Sequence, residues 1–214
     1  MKKGITLGMV ISVIAALVLL FPGCASKTTP TPAETIPELL DRVIGITSVK
    51  YELVMTNPEN PQENVQWQVW VKGNKTKMEM TYEGQTGVLI IDRDAQVGYT
   101  YDPFDKIWTK TDLVDQSGQP LILNPMFPAT EWAKSILTSP ESVVVGSETI
   151  YGKDCLIIES GEEEGKVKIW FWKDYGFPIR MEGFDTPVEW KNIEFVNISD
   201  SIFELPAGVE IQEQ

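Results

Sequence analysis

The sequence predicts an α+β domain, a large curved antiparallel sheet with two helical segments against one face. Three observations predict it. Run after run of residues alternates apolar and polar side chains, the period of a half-buried strand. The runs follow one another across short turn-forming stretches, which is the spacing of a meander with about ten or eleven strands. Only two segments carry helical periodicity, too few for the crossovers of a parallel sheet.

The first helix lies in "TIPELLDRVIGI", where Ile36, Leu39, Leu40, Val43 and Ile44 share one face. Thr35 and Glu38 have the spacing of a capping box, Pro37 suits a first turn and Gly45 a C-terminus. Strands follow. "VQWQVWVKG" sets Val65, Trp67, Val69 and Val71 against Gln66, Gln68 and Lys72. "KTKMEMTYEG" sets Met78, Met80 and Tyr82 against Lys77, Glu79 and Thr81, and Gly73-Asn74 between the two runs has hairpin chemistry. "TGVLIID", "QVGYTYD" and "KIWTKT" continue the meander, with Val97, Tyr99 and Tyr101 on one side of their strand. Residues 112–130 interrupt the rhythm with three prolines and an apolar patch from Leu121 to Phe127. The second helix, "TEWAKSIL", places Trp132, Ile136 and Leu137 on a face. Five more strand runs, "SVVVGSETI", "KDCLIIES", "KVKIWFWK", "FPIRMEG" and "VEWKNIEFVNI", lead to a short helical turn in "DSIFELPAGVEI".

Ahead of the domain stands a different kind of segment. Lys2 and Lys3 precede an uncharged run from Ile5 to Phe21, the layout of an export signal. Cys24 follows the small residue Gly23, in a context that resembles the lipobox of prokaryotic lipoproteins. The expected organisation is a signal peptide over 1–23, a lipidated tether rich in Thr and Pro over 24–35, and the folded domain over 36–214. A retained N-terminal anchor is the alternative. Both readings put the domain outside the cytoplasm, at the cell surface or on a periplasmic face.

Composition excludes several kinds of chemistry. The chain has no histidine, which removes Ser-His-Asp and Cys-His catalysis, histidine metal ligation and histidine pH switching. Its formal charge of −13 disfavours nucleic acid, whose binding rests on cations that neutralise phosphates. Cys155, the only cysteine besides Cys24, lies in an apolar run and reads as a buried, inert thiol. Asp92 and Asp94 in "IIDRDA" have the spacing of an acid–base pair, but a charged hairpin turn explains them equally. Asp102 and Asp105 flank Pro103-Phe104 as turn formers. No cofactor, metal or catalytic residue is expected.

One apolar sheet face of this size must be covered, and two helices with one loop are little to cover it. Any remainder would be an apolar cavity. The residues offered to it are Trp67, Val69, Met78, Met80, Tyr82, Tyr99, Tyr101 and Trp132. Methionines adapt to irregular guests, and tyrosines join an apolar body to a polar tip. Alternation alone leaves open whether that space is a pocket or a filled core.

Three stretches together resemble the LolA-type lipoprotein-carrier superfamily, including its lipid-anchored relatives. They are "VQWQVWVKGNKTKMEM", "KVKIWFWKDYGFPIRMEG" and "NISDSIFELPAGVEI", and the resemblance spans about residues 36 to 211. It implies an unclosed antiparallel barrel with a helical lid and an acyl-chain cavity, in proteins that carry or sense lipids and lipoproteins. Arg42, Arg93 and Arg180 are the only arginines, and none is expected to latch a lid. The function expected is non-catalytic binding of acyl chains or other apolar ligands by a membrane-anchored module, in lipid or lipoprotein transfer. The alternative is an interaction or sensor domain with a filled core and a protein partner of unknown identity.

Overall fold

A computed structural model describes residues 35–57, 64–114, 128–162, 165–183 and 186–213, with Tyr82 described by its backbone alone. The predicted signal, Cys24 and the tether lie outside the described residues, as does the patch from Leu121 to Phe127.

Helix α1 runs Ile36–Ile44 and α2 runs Ala129–Thr138. The strands are β1 (Ser48–Met55), β2 (Val65–Lys72), β3 (Lys75–Tyr82), β4 (Gln85–Asp92), β5 (Val97–Asp102), β6 (Ile107–Asp112), β7 (Val143–Ile150), β8 (Lys153–Ser160), β9 (Val167–Trp172), β10 (Phe177–Glu182), β11 (Val188–Glu194) and β12 (Ile211–Glu213). All of them join one sheet in the order β12-β6-β5-β4-β3-β2-β1-β11-β10-β9-β8-β7. Neighbours are antiparallel except β12, which pairs parallel to β6. β12 and β7 stand at opposite ends of that order, so the sheet is an unclosed one rather than a closed barrel. Among the described residues the sheet has twelve strands against the ten or eleven expected, and β1 and β12 are the two that the alternating runs did not include. β1 is the hub of the sheet. It joins the β2–β6 meander to the β7–β11 meander by pairing with both β2 and β11.

Local chemistry explains the joints. The Thr35 N–H donates to the Glu38 carboxylate at 2.8 Å, which satisfies one donor at the start of α1. β7 and β8 are joined by the two-residue turn Tyr151-Gly152, with φ of 52° and 72°, as a type I′ hairpin requires. The turn after β9 brings Gly176 against α1, where a Cβ would stand 2.0 Å from the Leu39 carbonyl oxygen. Only glycine fits that approach, so the "GFP" stretch docks α1 on the sheet.

The main core lies between the helices and one sheet face. Leu39 and Val43 of α1, and Trp132, Ala133 and Leu137 of α2, pack on Val49, Tyr51, Leu53, Val69, Phe171, Phe177 and Trp190. Trp132 stacks on Trp190 with ring centroids 5.5 Å apart. The Tyr51 hydroxyl accepts the Ala129 N–H at 3.1 Å and so fixes the first turn of α2. Each large apolar side chain buried here stabilises the fold by about 1.5–3 kcal/mol. The opposite face holds two smaller cores. One contains Cys155, Ile157, Trp170 and Ile179. The other contains Ile90, Trp108, Ile198 and Phe203, where the chain after β11 folds back over β4–β6.

Candidate functional site

Strand register decides which of the expected residues meet. Val69 pairs with Met78, Met78 with Leu89, and Leu89 with Thr100. Paired residues share a face, so Trp67, Val69, Met78, Met80, Leu89 and Thr100 all point to the helix side. Tyr99 and Tyr101 flank Thr100 and point to the other side. Tyr101 pairs with Val88 and Trp108, and its ring lies 5.2 Å from that of Trp108. The two tyrosines thus do not share a strand face with the methionines: both pack with the core beneath the C-terminal segment, although Tyr101 also lines the groove over β3–β5. One residue of register separates the two arrangements.

The helices cover the helix-side face unevenly. Val69 is fully buried and Trp132 is 8% exposed, both within the packed core, so neither lines an open space. Tyr82 ends β3, and its side chain is not among the described ones. Further along β3, β4 and β5 the face is left open among the described residues. A groove of about 360 Å³ lies there, with Trp67, Met78, Met80 and Leu89 as its apolar floor and Phe104 at its end. That volume falls within the ~300–1,000 Å³ range of small-ligand sites. Met78, 6% exposed, belongs to both groove and core, so the groove opens directly from the packed interior.

Two features shape this space. Gly87 pairs with Met80 and supplies no side chain where the neighbouring strands supply large ones. A Cβ placed there would meet the Tyr101 carbonyl oxygen at 3.6 Å and Pro103 Cδ at 3.7 Å, both ordinary contacts. The hollow exists because this position is glycine. At the far end, Asp102 Oδ1 accepts the N–H of Phe104 at 2.8 Å and of Asp105 at 3.2 Å. That local turn presents Pro103 and Phe104 beside Gln85, Thr100 and Asp102, the polar end of the groove. Phe104 is 56% exposed, a large aromatic ring left in water at the groove edge.

Two of the other hollows are larger. One of about 580 Å³ includes Asp41, Arg42 and Asp174. Another of about 460 Å³ lies on the opposite face, lined mainly by Val88, Tyr101, Trp108, Pro206 and Val209, with Lys106 and Glu210 beside them. What sets the Met78–Met80 groove apart is that it opens from the main core through Met78 and has no lysine or arginine in its lining.

The candidate acid–base pair builds a turn. Asp92 Oδ1 accepts the N–H of Asp94 and of Ala95, each at 3.0 Å, and Asp94 accepts from Asn74 Nδ2 at 2.7 Å. Cys155 is fully buried, and that burial pushes its thiol up to about 11. Burial also raises Tyr51 well above the usual phenol range. Arg93 is half-buried near Tyr51 and Glu131, and desolvation lowers its proton affinity. Among the described residues no helix is long and apolar enough to cross a membrane. Leu89, Gly87, Asp102 and Phe104 were absent from the expected site. Leu89 sits in "TGVLIID", a run apolar on both faces, and only its pairing with Met78 reveals its side.

No protein-family model matches the chain. An uncharacterized protein of Methanocaldococcus jannaschii is 24% identical over an alignment of 213 positions that covers 95% of this chain and 59% of that protein. The chain thus spans 59% of the length of the curated relative it matches. An uncharacterized conserved protein from Thermus thermophilus superposes with a TM-score of 0.58 at 11% identity, over 83% of this chain and 98% of that one. A LolA superfamily protein from Nitrosomonas europaea gives a TM-score of 0.38 at 12% identity, over 81% of this chain and 99% of that one. The fold, a large unclosed and mainly antiparallel sheet with two helices, is one that the Thermus thermophilus structure shares.

Proposed function

We propose that this protein is an exported, membrane-tethered lipoprotein that holds an acyl chain in the groove over β2–β5 and catalyses no reaction. The observation that supports it is the groove itself, floored by Trp67, Met78, Met80 and Leu89 and continuous with the core. Soluble proteins seldom leave such a surface unfilled. A volume of 360 Å³ equals that of about a dozen waters, room for a chain on the order of ten methylenes. At ~0.8 kcal/mol per methylene, their burial supplies up to about 8 kcal/mol before ordering costs. Cys24 would hold the domain at the membrane from which such chains come. A role in transferring lipid or lipoprotein between membranes follows if the groove loads and unloads.

Native mass spectrometry of protein purified from lipid-containing cells, with solvent extraction of the bound material, tests the proposal. The expected result is one acyl lipid per chain, reduced in Met80→Lys. A protein that emerges lipid-free and ignores a neutral fluorescent acyl probe would end it.

A second reading has one observation in its favour. β7 is an edge strand whose Val143, Val144 and Val145 are each about half exposed, 52%, 45% and 46%. Such an edge is open to an added strand, as in an interaction or sensor module. Crosslinking in cells discriminates: a stoichiometric protein partner without bound lipid favours this reading.

A further inference from the structure

Resting on the acyl-groove reading, we infer that the groove takes ligands whose polar end carries no negative charge, and that Asp102 sets this preference. Of the residues that line the groove, Asp102 is the one with an ionisable carboxylate, and none is lysine or arginine. The internal segments outside the described residues, 58–63, 115–127, 163–164 and 184–185, contain no lysine or arginine in their sequence. The whole chain carries a formal charge of −13. Among the described residues that line the groove, an anionic head group therefore meets no countercharge and one fixed like charge.

Asp102 is fixed by its backbone bonds. Both the Phe104 and Asp105 N–H groups land on Oδ1, which anchors the carboxylate at the groove end while Oδ2 remains to meet a ligand. Gln85 and Thr100 beside it are neutral, able to donate to or accept from an ester, amide or hydroxyl. A protonated amine gains attraction to Asp102. Two like charges about 4 Å apart in water repel by ~1 kcal/mol, roughly fivefold in affinity. Asp102 is exposed, so the aqueous value applies.

The test is displacement of a neutral fluorescent acyl probe by three ligands of one tail length: dodecanol, dodecylamine and dodecanoate, at neutral pH and low salt. The wild type is expected to bind dodecanol and dodecylamine about fivefold or more tighter than dodecanoate. Asp102→Asn keeps an Oδ1 acceptor for the turn and removes the charge, and it is expected to close most of the gap between dodecanoate and dodecanol. High salt should narrow the gap in the wild type without any substitution. Equal affinities in the wild type, or a gap that survives both Asp102→Asn and high salt, would overturn the head-group inference and leave the groove reading standing. If none of the three displaces or binds, the groove reading fails, and this inference with it.

Discussion

Replacing Gly87 by leucine separates binding from folding. The backbone at Gly87 lies outside the left-handed region, and a Cβ there makes only ordinary contacts at 3.6–3.9 Å. Strand glycine is intrinsically unfavourable, so Gly87→Leu should leave stability unchanged or raise it by up to about 1 kcal/mol. The four added carbons, however, occupy the groove floor beside Met80. Displacing about four methylenes of a guest at ~0.8 kcal/mol each removes about 3 kcal/mol, on the order of a hundredfold in Kd. Two assays run side by side decide it: urea unfolding by Trp fluorescence, and titration with a neutral fluorescent acyl probe. The expected pair of results is a transition at equal or higher urea and a probe affinity about a hundredfold weaker. A variant that folds as well as the wild type and binds the probe with unchanged affinity would refute the placement of the guest.

Other substitutions test the scaffold and the anchor. Gly176→Ala puts a Cβ 2.0 Å from the Leu39 carbonyl and must push α1 off its turn, so urea unfolding should show a loss of about 3 kcal/mol or more; a loss under 1 kcal/mol would mean α1 docks elsewhere. Cys155, with an ordinary value of 9.0 raised to about 11 by burial, favours the folded state fully below pH 9, and this contribution is lost as pH rises through about 11. Tyr51, also raised by burial, acts in the same direction. Stability should therefore fall over that window in the wild type and less steeply in Cys155→Val; identical slopes would contradict the assignment. Labelled palmitate should attach to the wild type and not to Cys24→Ser, and equal labelling would remove the lipid anchor.

Much of the fold was legible because the strands of an antiparallel meander announce themselves by period and punctuation. "VQWQVWVKGNKTKMEM" reads as β2–turn–β3, and the pairing of Val69 with Met78 follows from its two-residue turn. β1 carries the same alternation in Val49, Tyr51 and Leu53, but nothing local says that the strand just after α1 becomes the hub between two meanders. That is a long-range fact. The site was half legible for a sharper reason. Alternation assigns residues of one strand to two sides without saying which side the next strand shares. β4 is apolar on both faces, with Val88 and Ile90 on one and Leu89 and Ile91 on the other, so it transmits no parity from β3 to β5. Met78 and Met80 share a face with Trp67 and Leu89, whereas Tyr99 and Tyr101 take the other, with Tyr101 also lining the groove. Gly87 drew no attention because a cavity-forming glycine is defined by what surrounds it.

The central claim is positional, so it is tested most directly by asking where a bound chain lies. A neutral acyl probe with a photoreactive diazirine near the tail end would be bound, irradiated, and its adducts mapped by peptide mass spectrometry. The account predicts adducts on Trp67, Met78, Met80 and Leu89, lost in Gly87→Leu. Adducts concentrated on Tyr99, Trp108 and Phe203 across the sheet, or none above the level of a denatured control, would contradict it.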